Sequence, residues 1–215
     1  MPSPESLKVQ PWHIAASLAA VVFFVFLFSG DFLARLGVYK YDRPDAALWL
    51  VRKDGELAMY LGNYFWGQVA GSARYDLDKA ERAYRKALAA KPGILWGHYQ
   101  LSRVYFIKGK FDSALDEINK ELEANPENLR SLYVRGLIYG ASGQLAKAEE
   151  DFKSFTGWAP KEWAGYNDLA WILLKEKKYK EAESVIFGAF ANAFDADKNP
   201  WLWNNYGVAK LNLHD

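Results

Sequence analysis

The 215-residue chain has no cysteine. That excludes a disulfide framework, a thiol nucleophile and every thiolate zinc site. Its three histidines, His13, His98 and His214, are scattered, so no His-x-x-x-His pair is available to hold a metal or to activate a nucleophile. Charge of neither sign is in excess: 27 lysines and arginines face 26 acidic residues, for a net charge of +1. With no basic tract, binding to a phosphate backbone is not expected. Gly62, Gly67 and Gly71 follow no strand pattern and so do not make a phosphate loop. Without a convergent site the chain reads as a non-enzyme, with no catalytic residue, cofactor, metal or small-molecule substrate.

What the chain does have is apolar and aromatic. Between residues 14 and 28 only Ser17 is not apolar, and there is no charge. The stretch 12–30 would measure roughly 28 Å as a helix at about 1.5 Å per residue, close to a bilayer core of about 30 Å. Trp12 stands where an interfacial aromatic would. The sequence therefore predicts a tail at 1–11, a single-pass transmembrane anchor at 12–30 in contact with the lipid bilayer, and a juxtamembrane connector at 31–54. The competing reading, a cleaved signal peptide with Lys8 as its basic part, lacks a small-x-small site after the run. Arg35, Lys40 and Arg43 after the run lean toward a cytoplasmic C-terminal part. A short tail ahead of a first span is instead the layout of an anchor that exports the C-terminal part, so the side is left open. In the connector, Phe32, Leu33, Leu36, Val38, Tyr39 and Tyr41 suit the headgroup level, and a spacer packed on the adjoining C-terminal domain suits them as well. Residues 46–51 read as a short helix begun by Arg43-Pro44-Asp45.

The remainder is periodic. Pro92, Pro126 and Pro160 lie 34 residues apart, each closing a segment of the same layout. From Leu95 the segment places Leu101-Ser102, Tyr105, Gly109, Phe111, Ala114 and Ile118 at positions 7-8, 11, 15, 17, 20 and 24. From Leu129 the matching residues are Gly136, Tyr139, Gly143, Leu145, Ala148 and Phe152; from Trp163 they include Leu169-Ala170, Leu173, Tyr179, Ala182, Ile186 and Ala189. Large residues at 7, 11, 17 and 24 fill the space between two antiparallel helices, and small ones at 8 and 20 let the helices approach. Glycine at 15 ends the first helix and proline stops the second. The pattern resembles the tetratricopeptide repeat of 34 residues. That resemblance implies an all-α fold: a right-handed superhelix of helix hairpins, here over 55–215, with repeats at about 55–94, 95–128, 129–162, 163–199 and a partial one at 200–215.

Several positions depart from the pattern. In the first repeat, Leu61-Gly62 and Phe65 mark the first helix, and residues 70–77 lengthen its turn. Position 27 is Glu121 in one repeat and Phe155 in the next. Burial would require the carboxylate to be paired or tilted to solvent, and Phe155 with Trp158 would widen the packing. Phe194 stands where a proline is due, and a short loop at 195–199 precedes Pro200. The last helix carries Trp201, Trp203 and Tyr206 where a terminal cap would be polar, which suggests a longer array. His98 reads as a packing residue. The acidic groups Glu149-Glu150-Asp151 and Glu181/Glu183 read as solvated faces with i,i+4 pairing.

What such repeats offer is a surface. In proteins similar to this one, positions 2, 5, 9 and 12 of the first helices line a concave groove. Carried onto this chain they are Trp96, Tyr99, Arg103 and Phe106; Arg130, Tyr133, Leu137 and Gly140; Ala164, Asn167, Trp171 and Leu174; and Trp201, Asn204, Val208 and Leu211. Asparagine pairs with a peptide backbone and arginine with a carboxylate. The expected function is a membrane-anchored scaffold that binds a protein or peptide partner in this groove. The alternative is a structural subunit of a cell-envelope assembly for secretion, pili or polysaccharide export.

Overall fold

A computed structural model describes residues 11–69 and 75–213; the side chains of residues 11–14 and 24–28 lie outside the description. The tail at 1–10, residues 70–74 of the long first turn and His214 therefore fall outside it, as do the side chains of Trp12 and His13. Every regular element described is helical. The chain divides into two compact bodies, parted between Leu95 and Trp96.

The first body holds α1 (Pro11–Tyr39), α2 (Pro44–Leu50), α3 (Gly55–Phe65) and α4 (Leu77–Ala90). Proline at the first position starts α2, where a missing N–H costs nothing. Asp54 and Asp76 cap α3 and α4 by accepting from the N–H groups of Leu57 and Lys79, both at 3.0 Å. α1 continues past residue 30 to Tyr39, and its C-terminal part is packed: Ala34, Ala47, Leu48 and Val51 are buried. The Asp31 carboxylate accepts from the N–H groups of Arg52 at 2.6 Å and Lys53 at 3.1 Å. Lys86 donates to the carbonyls of Leu48 at 2.6 Å and Val51 at 2.8 Å, which satisfies the end of α2. Burial among these groups, with Arg52 and Arg82 nearby, holds the Lys86 ammonium below the ordinary lysine range. Residues 31–54 are thus packed within this body, with Phe32, Leu33, Tyr39 and Tyr41 exposed. Among the described residues no helix is long and apolar enough to cross a membrane, so they do not support the anchor expected at 12–30.

The second body is a run of hairpins: α5 (Gly97–Ile107) with α6 (Phe111–Ala124), α7 (Leu129–Ala141) with α8 (Leu145–Trp158), and α9 (Trp163–Lys175) with α10 (Tyr179–Asn192). A 3-10 turn, Ala196–Lys198, leads to α11 (Pro200–Leu213), which packs on α9 and α10. Each hairpin turn is closed by the same hydrogen bond back over five residues: Lys110 to Tyr105, Gln144 to Tyr139 and Lys178 to Leu173. This bond needs a left-handed residue, supplied by Gly109 (φ 70°) and Gly143 (φ 81°); Lys177 takes that conformation in the third hairpin (φ 61°). One core cluster joins Ala148 and Phe152 to Leu169, Ile172, Leu173 and Ala182, and so runs across two repeats. A second joins Ala170, Ile186 and Ala189 to Ala196 and Leu202.

Burial overturns the solvated reading of one acidic group. Glu149 is 8% exposed and Asp151 5%. The Asp151 carboxylate accepts two bonds from Arg135, at 2.7 and 2.8 Å. Glu149 pairs with Lys153 on its own helix and with Lys178 of the next repeat at 2.7 Å. Only Glu150 faces solvent as expected. Elsewhere Glu181 is exposed and Glu183 pairs with Lys210 at 3.2 Å. His98 likewise does more than fill space, since its Nδ1 lies 2.6 Å from the Glu117 carboxylate.

Candidate functional site

The first helices α5, α7, α9 and α11 place the four sets of candidate residues side by side along the second body. At one end they form a stacked series. Trp96 meets Tyr99 edge to face at 5.2 Å, the Arg103 guanidinium lies 5.5 Å over Tyr99, and that of Arg130 lies 5.9 Å over Trp96. Trp96 holds its place by an unusual backbone, left-handed at φ 65° where it opens α5. Arg103 is steadied by Gln100 at 3.0 Å. Two cations braced on two rings present fixed positive charge beside apolar area, a combination suited to an acidic or aromatic segment.

The middle of the face is occupied by its own bonds. The Tyr133 hydroxyl donates to Asp168 at 2.5 Å, Asn167 donates to the same carboxylate at 3.0 Å, and Asn205 donates to the Asn167 side-chain oxygen at 3.1 Å. Burial raises both titrating groups. It lifts the Asp168 carboxyl above the ordinary aspartate range although Tyr133 and Asn167 pull the other way. It lifts the Tyr133 phenol well above the ordinary tyrosine range, and the Asp168 charge adds to this. Two expectations change. Tyr133 is packed between Phe152 and Phe155, with ring centroids 5.7 and 5.0 Å away, so it braces the hairpins as well as facing outward. Asn167, expected to offer its amide to a peptide backbone, spends one N–H on Asp168 and its side-chain oxygen on Asn205.

Trp171 is 41% exposed and lies across the preceding repeat, where a Cβ on Gly140 would sit 3.6 Å from its ring; Lys175 stands 5.3 Å over it. Phe106 turns toward Phe111 of its own hairpin at 6.2 Å. Trp201 and Asn204 are exposed on α11, away from the stacked series on α5 and α7. The sequence reading missed Asp168 and Asn205, both at position 6. The available signal was a polar residue beside position 5 on two otherwise apolar helices, and it took the fold to bring Tyr133 of the preceding repeat to Asp168. A recess of about 430 Å³ lined by Gly109–Ser113, Ser142 and Gln144 lies at the hairpin turns rather than on this face.

A model of the tetratricopeptide repeat matches residues 73–129, 99–156 and 133–196, together more than half of the sequence. The chain belongs to the tetratricopeptide repeat family. Tetratricopeptide repeat protein 14 of Mus musculus is 34% identical over 76 residues, 34% of this chain and 10% of that protein. The TPR repeat-containing protein MJ1428 of Methanocaldococcus jannaschii is 31% identical over 105 residues, 49% of this chain and 18% of that one. The chain thus spans less than a fifth of the length of these relatives. Among solved structures, MamA of Desulfovibrio magneticus RS-1 (residues 41 to the end) superposes with a TM-score of 0.61 at 18% identity, over 77% of this chain and 94% of that one. YrrB, described as a TPR protein with an unusual peptide-binding site, superposes with a TM-score of 0.61 at 19% identity, over 80% of this chain and 84% of its own. At these identities the likeness is one of fold, a tetratricopeptide repeat scaffold.

Proposed function

We propose that the chain is a membrane-anchored tetratricopeptide repeat scaffold that binds a protein or peptide segment along the first-helix face of its second body. The observation that carries the reading is the stacked Arg130–Trp96–Tyr99–Arg103 series, with Trp171 exposed on the same face. Aromatic and arginine side chains supply most of the affinity in protein interfaces. The peptide-binding site named for YrrB, which shares the fold, agrees with this use of it. The middle of the face, where Tyr133, Asp168 and Asn167 bind one another, is rigid scaffolding in this reading, and the two flanks make the contacts. Anchoring rests on the uncharged run at 14–28 and on α1, where Leu18, Val21, Val22 and Phe23 are exposed.

The test is recovery of partners from detergent-solubilised membranes. Trp171→Ala and Arg103→Ala are expected to reduce recovery at least tenfold with the melting curve nearly preserved, and Glu150→Ala to leave recovery unchanged. Undiminished recovery by both face variants would remove the groove reading. For the anchor, the full chain is expected to resist carbonate extraction, and a version beginning at Ser29, which keeps the packed end of α1, to be soluble.

A further inference from the structure

The first body has a recess of its own, of about 430 Å³, lined by Trp49, Val51, Arg52, Lys86 and Ala89. Its volume falls in the range of about 300–1,000 Å³ found for small-molecule sites. The recess follows from how α2 ends. The carbonyls of Leu48, Trp49 and Val51 accept from the Lys86 ammonium at 2.6, 3.4 and 2.8 Å. All three donors of that ammonium thus go to backbone, and Lys86 brings the recess charge rather than a hydrogen bond.

The charge has company. Arg52 enters from the chain after α2, its backbone N–H fixed on Asp31 at 2.6 Å, and Arg82 stands one turn before Lys86 on α4. Both arginines are exposed. Burial first, and then the charges of Arg52 and Arg82, lower the Lys86 ammonium, while Asp31 acts the other way. The carboxylates nearby are committed: Asp31 to the N–H groups of Arg52 and Lys53, and Glu81 to Arg85 at 3.0 Å. Positive charge outweighs negative here, so the complementary ligand is an anion.

The level of the recess along α1 selects which anion. A Cβ on Gly30 would lie 3.0 Å from the Leu50 carbonyl and 3.8 Å from the Arg52 side chain. Gly30 is two residues past the uncharged run at 14–28, or about 3 Å of helix at about 1.5 Å per residue. In a bilayer that puts Arg52 within the headgroup layer, about 5–8 Å deep on each side of the hydrocarbon core. Trp49 is 69% exposed at the edge of the recess, and tryptophan favours the same layer. Arginine, with its planar fork, pairs bidentately with phosphate.

We propose that this recess binds the phosphate of an anionic phospholipid, held by Arg52 and Arg82, with Trp49 against the glycerol end of the lipid. The assignment rests on the membrane-anchored reading and adds to it a ligand and a site outside the apolar run. A headgroup bound there ties the end of α2 and the face of α4 to the bilayer surface.

The test is native mass spectrometry of the full chain in non-ionic detergent, with equal amounts of phosphatidylglycerol and phosphatidylcholine added. Phosphatidylglycerol is expected to be retained in preference, as one molecule per chain. Arg52→Gln with Arg82→Gln should cut that retention at least tenfold, and Lys147→Gln with Lys180→Gln, the same change of charge on the second body, should leave it unaltered. Glutamine keeps the backbone N–H that Asp31 binds, and both arginine sites are exposed, so the double variant folds, which circular dichroism checks. Equal retention by the two double variants, or no preference for phosphatidylglycerol, overturns the proposal. So does displacement of the lipid by inorganic phosphate or by a hexaglutamate peptide at matching concentration, which would make a free anion or an acidic protein segment the ligand. Carbonate extraction tells the two readings apart. An extractable chain that still retains phosphatidylglycerol through Arg52 and Arg82 removes the anchor and supports the lipid site; a resistant chain with equal retention by the two double variants removes the lipid site and keeps the anchor.

Discussion

Two junctions in the second body face one geometric demand and meet it with opposite chemistry. Position 27 of one repeat lies against position 3 of the next. Between the second and third repeats, counting the first body's hairpin as one, position 27 is Glu121, only 3% exposed. Among the described residues no cation is paired with it; the carboxylate accepts from the Asn125 amide at 3.1 Å, the Asn128 amide at 3.3 Å and the Tyr99 N–H at 3.4 Å. Between the third and fourth repeats position 27 is Phe155, and position 3 is Gly165, where a Cβ would lie 2.4 Å from the Phe155 ring. There the glycine gives up volume that the phenylalanine takes. One junction further on, the sizes reverse, with Ala189 and Leu202 in one buried cluster. The demand is for total volume rather than for a particular residue.

The size exchange offers the largest break. Phe155→Ala should destabilise the second body by about 3–5 kcal/mol, as truncation of a buried phenylalanine does. Gly165→Leu alone should cost about 1–3 kcal/mol through overpacking. Together they should cost at least about 0.5 kcal/mol less than the sum of the two, since each fills or frees the space of the other. Urea midpoints followed by circular dichroism read the cycle, and strict additivity would show that the two residues do not share a site. At the polar junction the effects are smaller. Glu121→Ala strands the amide donors of Asn125 and Asn128 and should cost about 1–3 kcal/mol; Glu121→Gln keeps one acceptor and should cost about 1 kcal/mol. Equal losses in the two variants would mean that the carboxylate acts by bulk alone.

A third contrast sets Glu121 against Glu149, a buried carboxylate that does bridge repeats through a cation. Burial alone would raise the Glu149 carboxyl, but bonds from Lys153 and Lys178 outweigh this and hold it at about 2, below the usual 4.5. Because the folded value is the lower one, its contribution is complete above pH 4.5 and disappears as the pH falls toward about 2. Glu149→Gln should therefore flatten the fall of the urea midpoint across that window. An unchanged slope would show that the ion pair does not stabilise the junction.

Much of this architecture is legible in single residues. The 34-residue spacing of Pro92, Pro126 and Pro160 marks hairpins whose second helices end at Ala90, Ala124 and Trp158. Gly109 and Gly143 lie at the hairpin turns, with positive φ. Of the candidate face, the stacked Trp96, Tyr99, Arg103 and Arg130 are brought together, whereas Tyr133 and Asn167 are drawn into the scaffold. The burial of Glu149 and Asp151 is not legible, because i,i+4 pairing to Lys153 is visible within one helix, whereas Arg135 comes from α7 and Lys178 from the turn before α10.

By itself, then, the sequence determined what repeats locally: helix type, hairpin period, turn chemistry and the small residues at 8 and 20. Those come from backbone conformation and helical periodicity, which act over a few residues. The tertiary structure alone decided how Glu121 is satisfied, that Gly165 makes room for Phe155, and that Asp168 meets Tyr133. Each of these depends on how one helix packs against another, and packing density rather than propensity sets that.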